Sequence, residues 1–154
     1  MSWRSRAGAL ERVVLGAMLV AALGCSRRAR EGAEPTGGVP TLAALGQEVG
    51  LTFPSSARLL GVHRERGIDD LVRFKVELGA DDLPRFLASS PVPEEAFEPG
   101  EGGLLGPDED FWDPGRANRL RTGQAMVKNN RALNIGIADG PTRRVVLYIV
   151  NHGT

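Results

Sequence analysis

The residues best able to do chemistry in this chain are one cysteine, two histidines and a run of acids. Cys25 is the sole thiol, and it closes the apolar run 13–24 behind a start carrying Arg4, Arg6 and Arg12. A basic head, an apolar stretch and small residues before a cleavage point mark a secretory signal peptide. His63 and His152 lie far apart in sequence, and even with Glu65 they make a sparse zinc set; they read as ordinary sheet-surface histidines. Asp108-x-Asp110 opens like a calcium loop, but Trp112 and Asp113 stand where that loop needs an oxygen ligand and a glycine. Asp108, Glu109, Asp110 and Asp113 therefore read as solvated charge. Gly100, Gly102, Gly103 and Gly106 do not form a dinucleotide fingerprint, because Leu105 occupies the third glycine position and no strand precedes it. There is no G-x-S-x-G elbow, no H-E-x-x-H and no P-loop. No cofactor, metal site or catalytic residue is expected.

The apolar run is 12 residues long and as a helix covers roughly 18 Å, short of a hydrocarbon core about 30 Å thick. A cleaved signal explains it better than a spanning helix. Gly24-Cys25 at its end resembles the lipobox of bacterial lipoproteins, with Ala22 and Leu23 in the reverse of that family's usual order. The resemblance covers residues 1–26 alone. It implies that Cys25 becomes the first mature residue and is acylated with three chains, giving permanent attachment where one chain binds only marginally. It also implies that Ser26, lacking the Asp of inner-membrane lipoproteins, sends the protein to the outer membrane facing the periplasm. Arg27, Arg28 and Arg30 add attraction to anionic headgroups of about 1 kcal/mol each. An acylated Cys25 leaves neither a free thiol nor a disulfide, so the domain is held by its core alone.

The whole chain has 19 basic and 19 acidic residues; without residues 1–24 it keeps 16 and 18. A nearly neutral protein has no long-range field to gather nucleic acid, which excludes that partner class. Residues 25–40 hold Arg, Gly, Ala, Glu and Pro with Val39 as the one large apolar side chain, and read as a flexible tether. Residues 41–154 are enough chain for one modest core.

That domain must be built from short elements. Thr41 caps a helix whose Leu42, Leu45 and Val49 recur at helical spacing, with Gly50 as its stop. A strand over 58–64 turns at 67–70 into the clearest signal in the chain, Val72, Phe74, Val76 and Leu78 alternating with Arg73, Lys75 and Glu77. Such alternation sets one face on a core and the other in water. Asp81 or Asp82 can cap a helix carrying Leu83, Phe86 and Leu87, with Pro84 tolerated in its first turn. Strands over 120–128 and 131–138 meet at Asn129-Asn130, residues that accept the positive φ of a tight hairpin. A last strand over 143–150 is apolar on both faces, so it should be central and covered on both sides. The expected fold is α+β: one antiparallel sheet of about five strands, ββα then a βββ meander, with one or two short helices packed on it.

The segment 94–118 is too long for an ordinary connection, so it should be either functional or disordered. It carries Leu104, Leu105, Phe111 and Trp112 among glycines, prolines and acids. These four are either interface anchors for a partner or pins that fasten the loop to the core. Taken together, the chain reads as a membrane-anchored lipoprotein. Its small domain is a non-enzymatic interaction module with a possible envelope-protein partner at the loop or a sheet edge. Two alternatives are a ligand-binding lipoprotein with a pocket between helix and sheet, and a hydrolase using an acid with His63.

Overall fold

The protein, seen in a computed structural model, is described over residues 39–67, 70–104, 106–107 and 109–153. The signal segment, Cys25, most of the tether and Leu105 lie outside the described residues.

Two helices and six strands follow one another as α1 (Leu42–Val49), β1 (Arg58–Glu65), β2 (Leu71–Gly79), α2 (Leu83–Ala88), β3 (Glu98–Pro99), β4 (Asn118–Val127), β5 (Arg131–Asp139) and β6 (Arg144–Gly153). The strands form one antiparallel sheet ordered β1-β2-β6-β5-β4-β3. The fold is α+β as expected, with a sixth strand. That strand, β3, is two residues long and ends on a proline, so no alternating pattern marks it in the sequence.

Local chemistry sets the ends of α1. The Thr41 side chain accepts from the Ala44 amide at 3.2 Å, and Gly50 closes the helix at φ 77°, where a side chain would be strained. Neither Asp81 nor Asp82 caps α2; Asp82 instead accepts from the Ser56 hydroxyl. At the β4–β5 turn, Asn129 and Asn130 take φ of 62° and 55°.

The alternation of β2 decides which face the helices cover. Phe74, Val76, Leu133, Ile135, Leu147 and Ile149 point to one side, where Leu45 and Val49 of α1 and Phe86 and Leu87 of α2 close over them. Phe53 stacks on Phe86 with ring centres 5.5 Å apart. The opposite face was expected to meet water at β2. Instead Arg73 is fully buried, and a second core of Leu104, Trp112, Ala138, Tyr148 and Val150 lies on that side. The cover is the long segment after β3, folded across the sheet as a strap. The expectation that both faces of the last strand are covered is met, with helices on one side and the strap on the other.

Directions within the sheet matter below. The end where β1 and β6 finish and β2 and β5 start is here the lower end. Helix α1 runs alongside β1: Leu42 and Ala43 share a depression with Pro54, Ser55 and Ala57, which lead into the first residue of β1, and Glu48 pairs with Arg64 near its last. The described chain thus enters at the upper end, at Val39.

Candidate functional site

The strap is held by shape and by charge. Glycines on the sheet leave the hollows that its apolar side chains fill. A Cβ on Gly61 of β1 would lie 2.2 Å from the Phe111 ring, and one on Gly136 of β5 would lie 2.7 Å from Leu104. Between these two contacts Trp112 packs edge-on to Tyr148, ring centres 5.4 Å apart, beneath a full cover. Leu104 and Trp112 are buried and Phe111 partly so, which makes them pins of the second core. Their apolar surface is used within the fold, so the strap does not offer these three as exposed anchors.

Cations on the sheet meet carboxylates on the strap. The buried Arg73 guanidinium donates to the Pro107 carbonyl at 3.0 Å and to Glu109, and it stacks over Trp112. His63, whose register partner is Arg73, sits 3.2 Å from Glu109 and 3.1 Å from Glu65. Lys75 and the Tyr148 hydroxyl both donate to one oxygen of Asp113, Tyr148 at 2.7 Å. Burial pushes the Asp113 carboxyl upward, but the Lys75 and Tyr148 hydrogen bonds and the Lys75 charge outweigh it, and the net shift is downward. Burial and the same carboxylate push the Tyr148 phenol well above its ordinary value. The acids that read as solvated charge are thus split: Glu109 and Asp113 fasten the strap, Asp110 stays exposed, and Asp108 lies outside the described residues. His152 stands on β6 with β2 between it and β1, its Nδ1 2.9 Å from the Gly153 carbonyl. The two histidines do not share a site. Among the described residues no group of three or more His, Cys, Asp or Glu is placed to hold a metal ion, and no helix is long and apolar enough to cross a membrane.

The concavity with a usable chemistry lies elsewhere, at the lower end of the sheet. A groove of about 520 Å³ opens between the last turn of α1 and the β4–β5 turn, floored by Val49, Pro91, Met126 and Val127. A second hollow of about 280 Å³ continues it toward Arg64 and Arg66, and Glu48, Asn129, Arg131 and Asn151 border both. Met126 is 56% exposed, against full or partial burial for the other large apolar residues of the strands. Arg131 stands where the hollows meet, and only neutral acceptors hold it: Asn151 Oδ1 at 2.6 Å, the Asn151 carbonyl and the Asp70 carbonyl. Lys128 and Arg66, both exposed, have no ion-pair partner among the described residues. The nearby acids are engaged: Glu48 grips Arg64 with both oxygens, Glu65 faces His63, and Asp70 accepts from the Gly67 amide. Arg131 and Lys128 thus border the apolar floor without an ion pair among the described residues, while the second hollow carries Arg64 and Arg66 together with Glu48, Glu65 and Asp70. Sequence reasoning missed this place, because its residues come from six separate stretches; the one local signal was Met126 in a strand flanked by Lys128.

Compared with protein-family models, curated proteins and solved structures, the chain matches none.

Proposed function

We propose that this chain is a membrane-anchored bacterial lipoprotein whose folded domain is a non-enzymatic interaction module of the cell envelope. Cys25 carries the acyl chains, residues 25–40 are the tether, and the outer membrane facing the periplasm is the site of action. The observation that supports the module most strongly is the amphipathic groove at the lower end of the sheet. Its exposed Met126, with Arg131 and Lys128 at the margin and neither in an ion pair among the described residues, is a surface with a stated chemistry, and it opens at the pole opposite Val39, where a tether from Cys25 would enter. A domain held that way turns its groove toward soluble or membrane-bound partners. Leu45, Val49, Phe86 and Leu87 fill the interface between the helices and the sheet, and a separate hollow of about 590 Å³ lined by Leu42, Leu51, Phe53, Pro54 and Ala57 lies beside α1 at the upper end, without a charged side chain in its lining.

The test is photo-crosslinking in intact cells, with a photoreactive side chain at Met126 or at Ser55 on the opposite pole. A module of this kind gives one dominant adduct from position 126 that depends on an intact Cys25 and is absent from position 55. Equal labelling from both poles, or adducts unchanged by Cys25→Ser, contradicts it.

A further inference from the structure

We infer that the lower groove captures the free C-terminus of a partner polypeptide, ending in a large apolar residue. This rests on the reading of the domain as an interaction module and names what its groove recognises. A C-terminal residue carries an apolar side chain and a carboxylate a few ångströms apart, and the groove offers the complement of each. Met126, Val49, Pro91 and Val127 make the apolar floor; Arg131 and Lys128 stand at its margin.

Arg131 is prepared for that carboxylate. Nε and Nη2 are tied down by Asn151 and the Asp70 carbonyl, which fixes the plane of the guanidinium and leaves Nη1 without a protein acceptor among the described residues. A fixed guanidinium loses little freedom on binding, and its Nη1 is left to donate a charge-assisted hydrogen bond to one carboxylate oxygen. The atoms that tether it are neutral, and it forms no ion pair among the described residues. Lys128, three residues before it, adds a second cation without an ion pair among the described residues. Backbone capture has further partners in the carboxamides of Gln47 and Asn129 along the rim.

The same head-and-tail chemistry belongs to a fatty carboxylate, but the geometry favours a peptide. A long acyl chain needs a deep enclosed cavity, whereas this groove is open to solvent, with four apolar residues and polar side chains along it. An open groove also lets the preceding residues of a partner leave without a bend. Recognition of a terminal carboxylate beside an apolar pocket is a recurring way to read peptides.

The experiment titrates the full chain, solubilised in a non-ionic detergent, with four probes followed by calorimetry. They are acetyl-Ser-Val-Leu with a free carboxylate, the same peptide ending in a carboxamide, octanoate, and inorganic phosphate. The free acid is expected to bind, and the carboxamide to bind at least about tenfold more weakly, the loss that follows from one missing charged hydrogen bond. Octanoate and phosphate, each lacking part of the match, bind more weakly than the acid. Arg131→Gln removes the preference for acid over carboxamide, and so in part does Lys128→Gln, an exposed change that leaves the fold intact. Met126→Glu abolishes binding of both peptides. Equal binding of acid and carboxamide, no binding of either, or a preference unchanged in Lys128→Gln and Arg131→Gln overturns the inference. Octanoate binding as tightly as the acid overturns it in favour of a fatty ligand. Pole-specific crosslinking in cells without peptide binding removes this ligand while leaving the module reading in place.

Discussion

Single residues decide how the strap meets the sheet. Gly61 and Gly136 are required by what lies above them, so Gly61→Ala or Gly136→Ala forces Phe111 or Leu104 off its seat. Each should cost about 1–3 kcal/mol, the range for overpacking. Gly67→Ala, with nothing within 4 Å of its new carbon, should change stability by less than about 0.5 kcal/mol in the same urea titrations. Trp112→Ala empties the centre of the second core and should cost about 3–5 kcal/mol, a loss that a ring standing in solvent would not produce. Asp113 adds a pH dependence. Its folded carboxyl titrates below the ordinary 3.8, so its contribution is complete above that value and fades as pH falls through the lower folded one. Denaturation midpoints recorded from pH 6 down to about pH 2.5 should therefore fall less steeply for Asp113→Asn than for the wild type. Parallel curves would show that the Lys75 and Tyr148 contacts do not hold the strap.

At the scale of elements, legibility followed periodicity. The alternation Val72 to Leu78 placed β2, and the two-faced apolar run 145–150 placed β6 at the centre with both sides covered. Thr41 and Gly50 bounded α1 because capping chemistry is local. Thr41→Ala should thus lower stability by about 1 kcal/mol, read by urea titration. The misses share one cause: they depend on partners far away in sequence. Arg73 sits on the polar side of its strand's alternation, yet it is buried because a strap arriving more than thirty residues later supplies Pro107, Glu109 and Trp112. Leu104, Phe111 and Trp112 stand out in the sequence as interface anchors or core pins, and they pack in the second core; a segment without period does not say which hollow it fills. The glycines that answer, Gly61 and Gly136, look like weak points in their strands until the strap is in place. The groove was illegible for the same reason, since Arg131 owes its setting to Asn151 and Asp70.

The whole molecule divides its sheet between two tasks. Helices cover one face and the strap the other. The proposed recognition surface is the lower end, where turns and a helix terminus place Arg131 and Lys128 beside an exposed methionine. In the proposed setting the upper end belongs to the tether and the lower end to the partner. This arrangement has meaning only if the chain is held at a bilayer by Cys25. The most direct measurement is the mass of the amino-terminal peptide of protein extracted from bacterial membranes. The account predicts a peptide that starts at Cys25 and carries a diacylglyceryl thioether with a third, amide-linked chain. A peptide starting at Met1, or an unmodified thiol at position 25, contradicts it.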